Sequence, residues 1–341
     1  MGGDFAPASV VEGVVLALRE YGIAPILVGR EEELVRELAK HGSSPDEIEV
    51  VHASETIGMG ESPSLALRKK KDCSIRVALR LVKDERAGGV ISAGSTGAVM
   101  VASKIVLGAV EGVDRPAIAA VLPTQKGRMV LLDVGANVDC KPHHFMQFAV
   151  MGDLYARIVL GVARPRIGLL SIGEEDTKGT ETTKEVLRVL SGTHLNFVGN
   201  VEGSHVYSGD VDVIVTDGFS GNISLKVTES IVSSLDLMVR REVSKSLRAK
   251  IGAWLMLPAL REIKRKTNYE EIGGAPLLGA RGCVIICHGR SSPKAIKNAM
   301  RVARELVANR VTDHIHDGIR ELAEAESRSS EFIHGKVRRG A

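Results

Sequence analysis

Short runs of Val, Ile and Leu recur along this chain and alternate with longer stretches of helical periodicity. Nine stand out, at 25–29, 48–53, 89–93, 118–122, 129–134, 166–172, 195–199, 211–216 and 283–287. A strand covered on one face alternates apolar with polar residues, whereas a run apolar throughout is buried on both faces, as in a parallel sheet flanked by helices. Between the runs, Val10, Val14, Ala17 and Leu18, and again Leu34, Val35 and Leu38, give each segment one helical face to bury. The alternation predicts an α/β fold with a doubly wound, mostly parallel sheet.

Five runs end in turns that precede a helix: Gly94-Ser95-Thr96-Gly97, Asp133-Val134-Gly135-Ala136-Asn137, the loop from Gly173 to Gly179 that carries Lys178, Asp217-Gly218-Phe219-Ser220-Gly221-Asn222, and His288-Gly289. In a parallel sheet all five share one edge, where N–H groups exposed by glycine and helix amino ends favour an anion. Any single turn is accounted for by glycine turning the chain; the set together predicts a functional crevice. The chain opens on Met1-Gly2-Gly3-Asp4, a glycine turn before a helix, with none of the strand that a doubly wound sheet ordinarily places ahead of such a turn.

The rhythm breaks from about residue 224 to 270, where no strand signal occurs and a long helix is predicted. Between Arg240 and Lys266, the nine basic residues Arg240, Arg241, Lys245, Arg248, Lys250, Arg261, Lys264, Arg265 and Lys266 stand against only Glu242 and Glu262. Among them sits the apolar stretch from Ile251 to Leu260, with Trp254, Leu255 and Leu257; it is too short to span a bilayer but suited to entering one leaflet. The alternative is a helical dimer interface through Ile231, Leu235 and Met238. The whole of 1–341 reads as one α/β domain carrying this excursion and a polar tail at 327–341.

A net charge of +3 disfavours a globally basic nucleic-acid binder, and 3% aromatic residues leave little for base stacking. Cys73, Cys140, Cys283 and Cys287 are too few and scattered to staple a fold of this size, and with no signal peptide or spanning run a soluble, cytoplasmic protein is expected. Gly58-Met59-Gly60 continues to Pro63 where a dinucleotide fingerprint needs a third glycine, and Lys178 precedes Gly179 instead of following it as in a Walker loop. Cys140, His143 and His144 fall short of a tetrahedral metal set, so a helix-start role is favoured; neither metal nor cofactor is expected.

Taken in order, Met1-Gly2-Gly3-Asp4, Ile91-Ser92-Ala93-Gly94-Ser95-Thr96-Gly97, Asp114-Arg115-Pro116, Leu132-Asp133-Val134-Gly135-Ala136-Asn137, Gly173 to Gly179, Asp217 to Asn222, Gly273-Gly274-Ala275-Pro276 and Lys294-Ala295-Ile296-Lys297-Asn298-Ala299 resemble the bacterial phosphate acyltransferases of phospholipid synthesis along nearly the whole chain. The resemblance implies a cytosolic homodimer with an isocitrate dehydrogenase/phosphate acetyltransferase-like fold. It would work at the inner, anionic membrane surface, moving a fatty acyl group from acyl carrier protein to inorganic phosphate and feeding a membrane glycerol-3-phosphate acyltransferase. Members of that family usually begin with a strand ahead of Met-Gly-Gly-Asp, and they typically carry Asn where Ser95 stands. For such a reaction Gly94, Ser95, Thr96 and Gly97 with Lys178 are expected to hold phosphate, and Asn222 to donate to the oxyanion. Asp4 and His288 would orient the site or move a proton, Asp133, Asn137 and Asp217 would orient substrate, and the basic excursion would meet the acidic carrier or the membrane. Acyl-CoA as the donor, and a non-catalytic membrane scaffold, are the rival readings.

Overall fold

The structure, a computed structural model, describes residues 1–267 and 269–324, with the backbone alone described at 263–267 and 269. The chain opens with α1 (Ala8–Tyr21), β1 (Ile26–Gly29), α2 (Glu31–Lys40) and β2 (Glu49–His52), and β1 and β2 pair in parallel as a small sheet of their own. Helices α3 (Pro63–Lys69) and α4 (Ser74–Lys83) lead to β3 (Gly89–Ser92) and α5 (Thr96–Val106), followed by a hairpin of β4 (Ala117–Thr124) and β5 (Gly127–Leu132). Next come α6 (Pro142–Ile158), β6 (Ile167–Leu170), α7 (Glu181–Ser191), β7 (Phe197–Val201) and β8 (Val213–Val215). The excursion holds α8 (Gly218–Ser244), α9 (Leu247–Leu255), α10 (Leu257–Thr267) and α11 (Tyr269–Ile272), and the chain then returns through β9 (Ala275–Leu278), β10 (Cys283–Ile286) and α12 (Pro293–Ala308).

Eight strands form one sheet in the order β3-β10-β9-β4-β5-β8-β6-β7. Successive residues of its central strands point to opposite faces and feed two cores. Ala117, Ala119, Val121, Val130 and Leu132 pack with residues of α1, α6, α7 and α12, while Ile118, Ala120, Leu122, Met129 and Leu131 pack with residues of α3, α4 and α5. Double-sided burial is the reason the runs are aliphatic throughout, and the doubly wound α/β fold expected from them is the one that forms.

The single shared edge is a different matter. β9 pairs antiparallel with β10 and with β4, and β4 pairs antiparallel with β5, so three reversals separate β10 from β5. The carboxyl ends of β3 and β10 therefore lie at one edge of the sheet, and those of β5, β8, β6 and β7 at the other. One cause is legible in spacing: six residues separate the runs 118–122 and 129–134, whereas a parallel crossover needs a dozen or more. Thr124 instead pairs with Gly127 across a two-residue hairpin loop. β9 itself is short, contains Pro276, and makes two residue pairs with each neighbour, so it lacks an ordinary strand signature.

The excursion is also more broken than a single helix. Ser246 leaves helical geometry and its hydroxyl accepts the N–H of Ala249 at 3.1 Å, starting α9. Pro258, in the first turn of α10, has no N–H to continue the bonding from before. The polar tail at 327–341 lies outside the described residues.

Candidate active site

At the edge where β5 and β8 end, two turns are locked together by glycine. The first turn of α8 lies against the 133–137 loop so closely that a methyl on Gly221 would stand 1.9 Å from the Asp133 carbonyl oxygen, and one on Gly218 would stand 2.8 Å from the backbone N and O of Asn137. Gly218 N–H donates to the Asn137 carbonyl at 2.7 Å. This packing sets the Asn222 side chain beside Gly135, whose φ of 135° belongs to glycine, at 3.7 Å from a Cβ placed there. The Asn222 amide is exposed and makes no hydrogen bond within the described residues.

Asp133 holds this edge together. Its Oδ1 accepts N–H groups of Ile118 (2.9 Å), Gly135 (3.2 Å) and Ala136 (3.1 Å), and its Oδ2 accepts the backbone N–H (2.7 Å) and side-chain Nδ2 (3.0 Å) of Asn137. Burial pushes this carboxyl up while the N–H donors act in the opposite direction. Asn137 Nδ2 also reaches the Pro116 carbonyl at 2.9 Å. Asp217 caps α8, accepting Ser220 N–H at 2.8 Å and the Ser220 hydroxyl at 2.9 Å. Of these three residues, expected to orient substrate, both carboxylates and the Asn137 Nδ2 are bonded to the protein and act on the shape of the turns.

Lys178 belongs to the same edge, in the loop after β6, the strand beside β8. Its N–H donates to the Glu175 carbonyl at 2.9 Å, and its exposed ammonium carries no ion pair among the described residues. The neighbouring Glu174 turns instead to His205 at 3.2 Å.

Gly94, Ser95, Thr96, Gly97, Asp4 and His288 gather at the opposite edge. Asp4 N–H donates to the Gly289 carbonyl at 2.8 Å, and a Cβ on Gly3 would stand 2.7 Å from the Ala93 carbonyl oxygen, so the first residues run between the ends of β3 and β10. His288 Nδ1 accepts the Arg290 N–H at 3.1 Å, which leaves the exposed ring's proton on Nε2. Ser95 caps α5, its hydroxyl oxygen accepting from Ala98 N–H at 3.5 Å. Arg290, absent from the sequence-based set, lies 3.5 Å from Asp4; its place two residues after His288 on the same turn was the available signal. The residues expected to surround one phosphate thus divide between two edges because of the three strand reversals.

The Cys-x-x-His-His cluster starts α6. Lys141 N–H donates to His144 Nδ1 at 3.0 Å, so the ring proton sits on Nε2 and the neutral ring has no lone pair left for a cation. His143 pairs with Asp114 at 2.7 Å. Burial pushes Cys140 up to about 11, and pushes the core residues Cys283 and Cys287 up to about 12, so all three are thiols at neutral pH. Burial pushes His144, 3% exposed, down to about 4. The unfolded chain takes up this proton near pH 6.5, the folded chain only near 4, so the stability contribution is complete above about 6.5 and is lost as pH falls toward 4. Urea unfolding at pH 7 and 4.5 is expected to show a loss on the order of 3 kcal/mol that His144→Gln removes.

The eight-stranded α/β architecture is shared with a phosphotransacetylase from Streptococcus pyogenes (TM-score 0.63, 17% identity, 89% of this chain and 92% of that one). It is also shared with a branched-chain phosphotransacylase from Enterococcus faecalis (TM-score 0.51, 14% identity, 84% and 99%). The fold is that of the phosphotransacylase class of α/β proteins. Residues 1–314 match the family described as "Fatty acid synthesis protein". Relatives named phosphate acyltransferase are 51% identical over 322 residues in Pelotomaculum thermopropionicum (94% of each chain) and 50% identical over 315 residues in Geobacter sulfurreducens (92% of this chain, 91% of the relative). The chain belongs to this phosphate acyltransferase family, and it is an enzyme.

Proposed function

We propose that the chain transfers a long-chain fatty acyl group from acyl-acyl carrier protein to inorganic phosphate, releasing the carrier thiol and an acyl phosphate for phospholipid synthesis. The observation that carries this reading is the presence, on the β5-β8-β6 edge, of an Asn222 amide and a Lys178 ammonium that are exposed and have no hydrogen bond or ion pair among the described residues, beside turns held by the Asp133 and Asp217 carboxylates. A phosphate oxygen attacks the thioester carbonyl carbon, the carbonyl oxygen gains charge, and the C–S bond breaks with the electron pair leaving on sulfur. Lys178 attracts and positions the phosphate dianion. Asn222 Nδ2–H donates to the developing oxyanion, an interaction typically worth about 3 kcal/mol. A thiolate is a competent leaving group and phosphate a competent nucleophile, so no acyl-enzyme is needed, in keeping with protonated cysteines.

The helices beyond the site fit an acyl enzyme that works at a surface. Of α8's 27 residues only Gly218 and Gly221 are buried, and no residue of α9 is. Ile223, Val227, Ile231 and Leu235 recur every four residues on α8 and are exposed, as is Met238. This face suits a second copy of the chain, giving a homodimer. At the far end Trp254 (68% exposed) and Leu255 (67%) stand out with Ile251, while Leu257 is half-buried. Arg240 pairs with Asp236 and Lys245 with Glu242, leaving Arg241, Arg248 and Lys250 without ion pairs among the described residues; Arg261 is exposed, and the side chains of Lys264, Arg265 and Lys266 lie outside them. Unpaired cations around an apolar tip suit an anionic bilayer and an acidic carrier protein. No described helix is long and apolar enough to cross a membrane.

Two tests follow. Turnover with a C16 acyl-carrier-protein thioester is expected to exceed that with the matching acyl-CoA at equal concentration, and the reverse preference would transfer the proposal to a CoA donor. Trp254→Glu/Leu255→Glu is expected to weaken sedimentation with phosphatidylglycerol vesicles at least about tenfold, with an unchanged circular dichroism spectrum; full retention of binding would remove the tip from the account.

A further inference from the structure

Lys178 stands in a loop with neither helix nor strand, at the end of a stretch, 174–178, in which every residue is exposed. An ammonium on a four-carbon stem in such a loop is spread over many positions, and an anion bound by it must first narrow that spread. The backbone beneath the stem is fixed at one atom. The Glu175 carbonyl accepts the Lys178 N–H at 2.9 Å and also the side-chain Nδ2 of Asn200 at 3.1 Å. The stem then folds back over Gly173, where an added Cβ would stand 2.9 Å from Lys178 Cγ. Gly179, with a φ of 96°, closes the loop onto the sheet, a Cβ there standing 2.2 Å from Thr183 Oγ1 and 2.9 Å from Ser171 Oγ.

Asn200 is an unusual core residue. It lies within β7, pairs with Leu169 of β6 and is 6% exposed. Its bond to Glu175 fixes the orientation of the amide, because turning it over would set Oδ1 against the Glu175 carbonyl oxygen. Oδ1 is thereby left buried with no partner among the described residues. A buried acceptor without a protein partner weakens a fold, whereas an apolar side chain of similar shape removes that penalty. Asn200 therefore supports the sheet no better than a leucine would, and what distinguishes it is the bond to the loop.

We propose, resting on the reading of Lys178 as the holder of phosphate, that Asn200 is the positioning residue for that lysine. By holding the Glu175 carbonyl that takes the Lys178 N–H, it fixes the backbone from which the ammonium reaches its anion. Asn200 touches neither phosphate nor thioester and acts through the loop alone.

The test uses the full chain carrying Asn200→Leu, Lys178→Ala, or both. Asn200→Leu is expected to melt no lower than the parent, and to raise KM for phosphate at least about fivefold with kcat changed less than about twofold. The Lys178 amide hydrogen is expected to exchange at least about tenfold faster, with the amides of β6 and β8 unaffected. In the Lys178→Ala background, Asn200→Leu is expected to leave KM where Lys178→Ala alone puts it. A lowered melting temperature with KM and Lys178 exchange unchanged would overturn the proposal, since Asn200 would then be holding the sheet. A further rise of KM in the double variant would overturn it as well, because the effect would not pass through Lys178. An unchanged KM in Lys178→Ala itself is the separate result that overturns the reading of Lys178, and the proposal with it.

Discussion

Gly221→Ala is expected to destabilise the protein by at least about 3 kcal/mol and to abolish turnover in whatever fraction remains folded. The added methyl would meet the Asp133 carbonyl oxygen at 1.9 Å and Thr216 Cγ2 at 2.9 Å. The first obstacle is backbone, held by a carboxylate with five N–H partners in the same residue, so it has no rotamer by which to escape. Relief requires the first turn of α8 to lift from the 133–137 loop, which carries Asn222 away from Gly135. Gly252→Ala gives the contrast. That glycine lies in α9 with nothing within 4 Å of an added Cβ, and the exchange is expected to be neutral or to stabilise by about 0.5 kcal/mol through helix propensity. Urea midpoints of the two variants measure the difference directly.

Asn222→Ala and Lys178→Ala are expected to fold normally, because both side chains are exposed and neither bonds to the protein among the described residues. Their kinetic effects should differ. Removing the oxyanion donor acts in the transition state, so Asn222→Ala is expected to lower kcat by about 100- to 1,000-fold with KM for phosphate little changed. Removing the cation weakens the hold on phosphate before and during reaction, so Lys178→Ala is expected to raise KM for phosphate at least about tenfold, with Lys178→Arg partly restoring it. His288→Ala serves as the comparison from the opposite edge. Loss of turnover there, with Lys178→Ala unaffected, would move the transfer site to the Gly94–Gly97 edge.

The strands were legible because the residues that build them are buried on both faces. Met129 to Leu132, Val213 to Val215 and Cys283 to Ile286 have no exposed member, and a run of that kind has few alternatives to a sheet interior. Direction was not legible in the same way, since a buried run reads alike parallel or antiparallel. The hairpin between β4 and β5 was open to spacing, but β9, with Pro276 and two residue pairs on each side, carried no such signal, and with it went the placement of Gly94–Gly97 relative to Lys178. The site residues show the same limit. Asp133, Asn137 and Asp217 mark turns in the sequence, yet only the fold reveals that the two carboxylates and the Asn137 Nδ2 are engaged within the protein. Asn222 differs because Gly218 and Gly221 let the helix approach closely, and its exposed amide makes no hydrogen bond among the described residues.

The most direct test of the account is the stoichiometry of the reaction itself. Long-chain acyl-acyl carrier protein is incubated with the enzyme with and without inorganic phosphate, the free carrier thiol is counted, and acyl phosphate is trapped as the hydroxamate. The account predicts thiol release that requires phosphate, one hydroxamate for each thiol, and loss of both together in Asn222→Ala. Thiol release without phosphate and without hydroxamate, or no release from the folded protein, would contradict it.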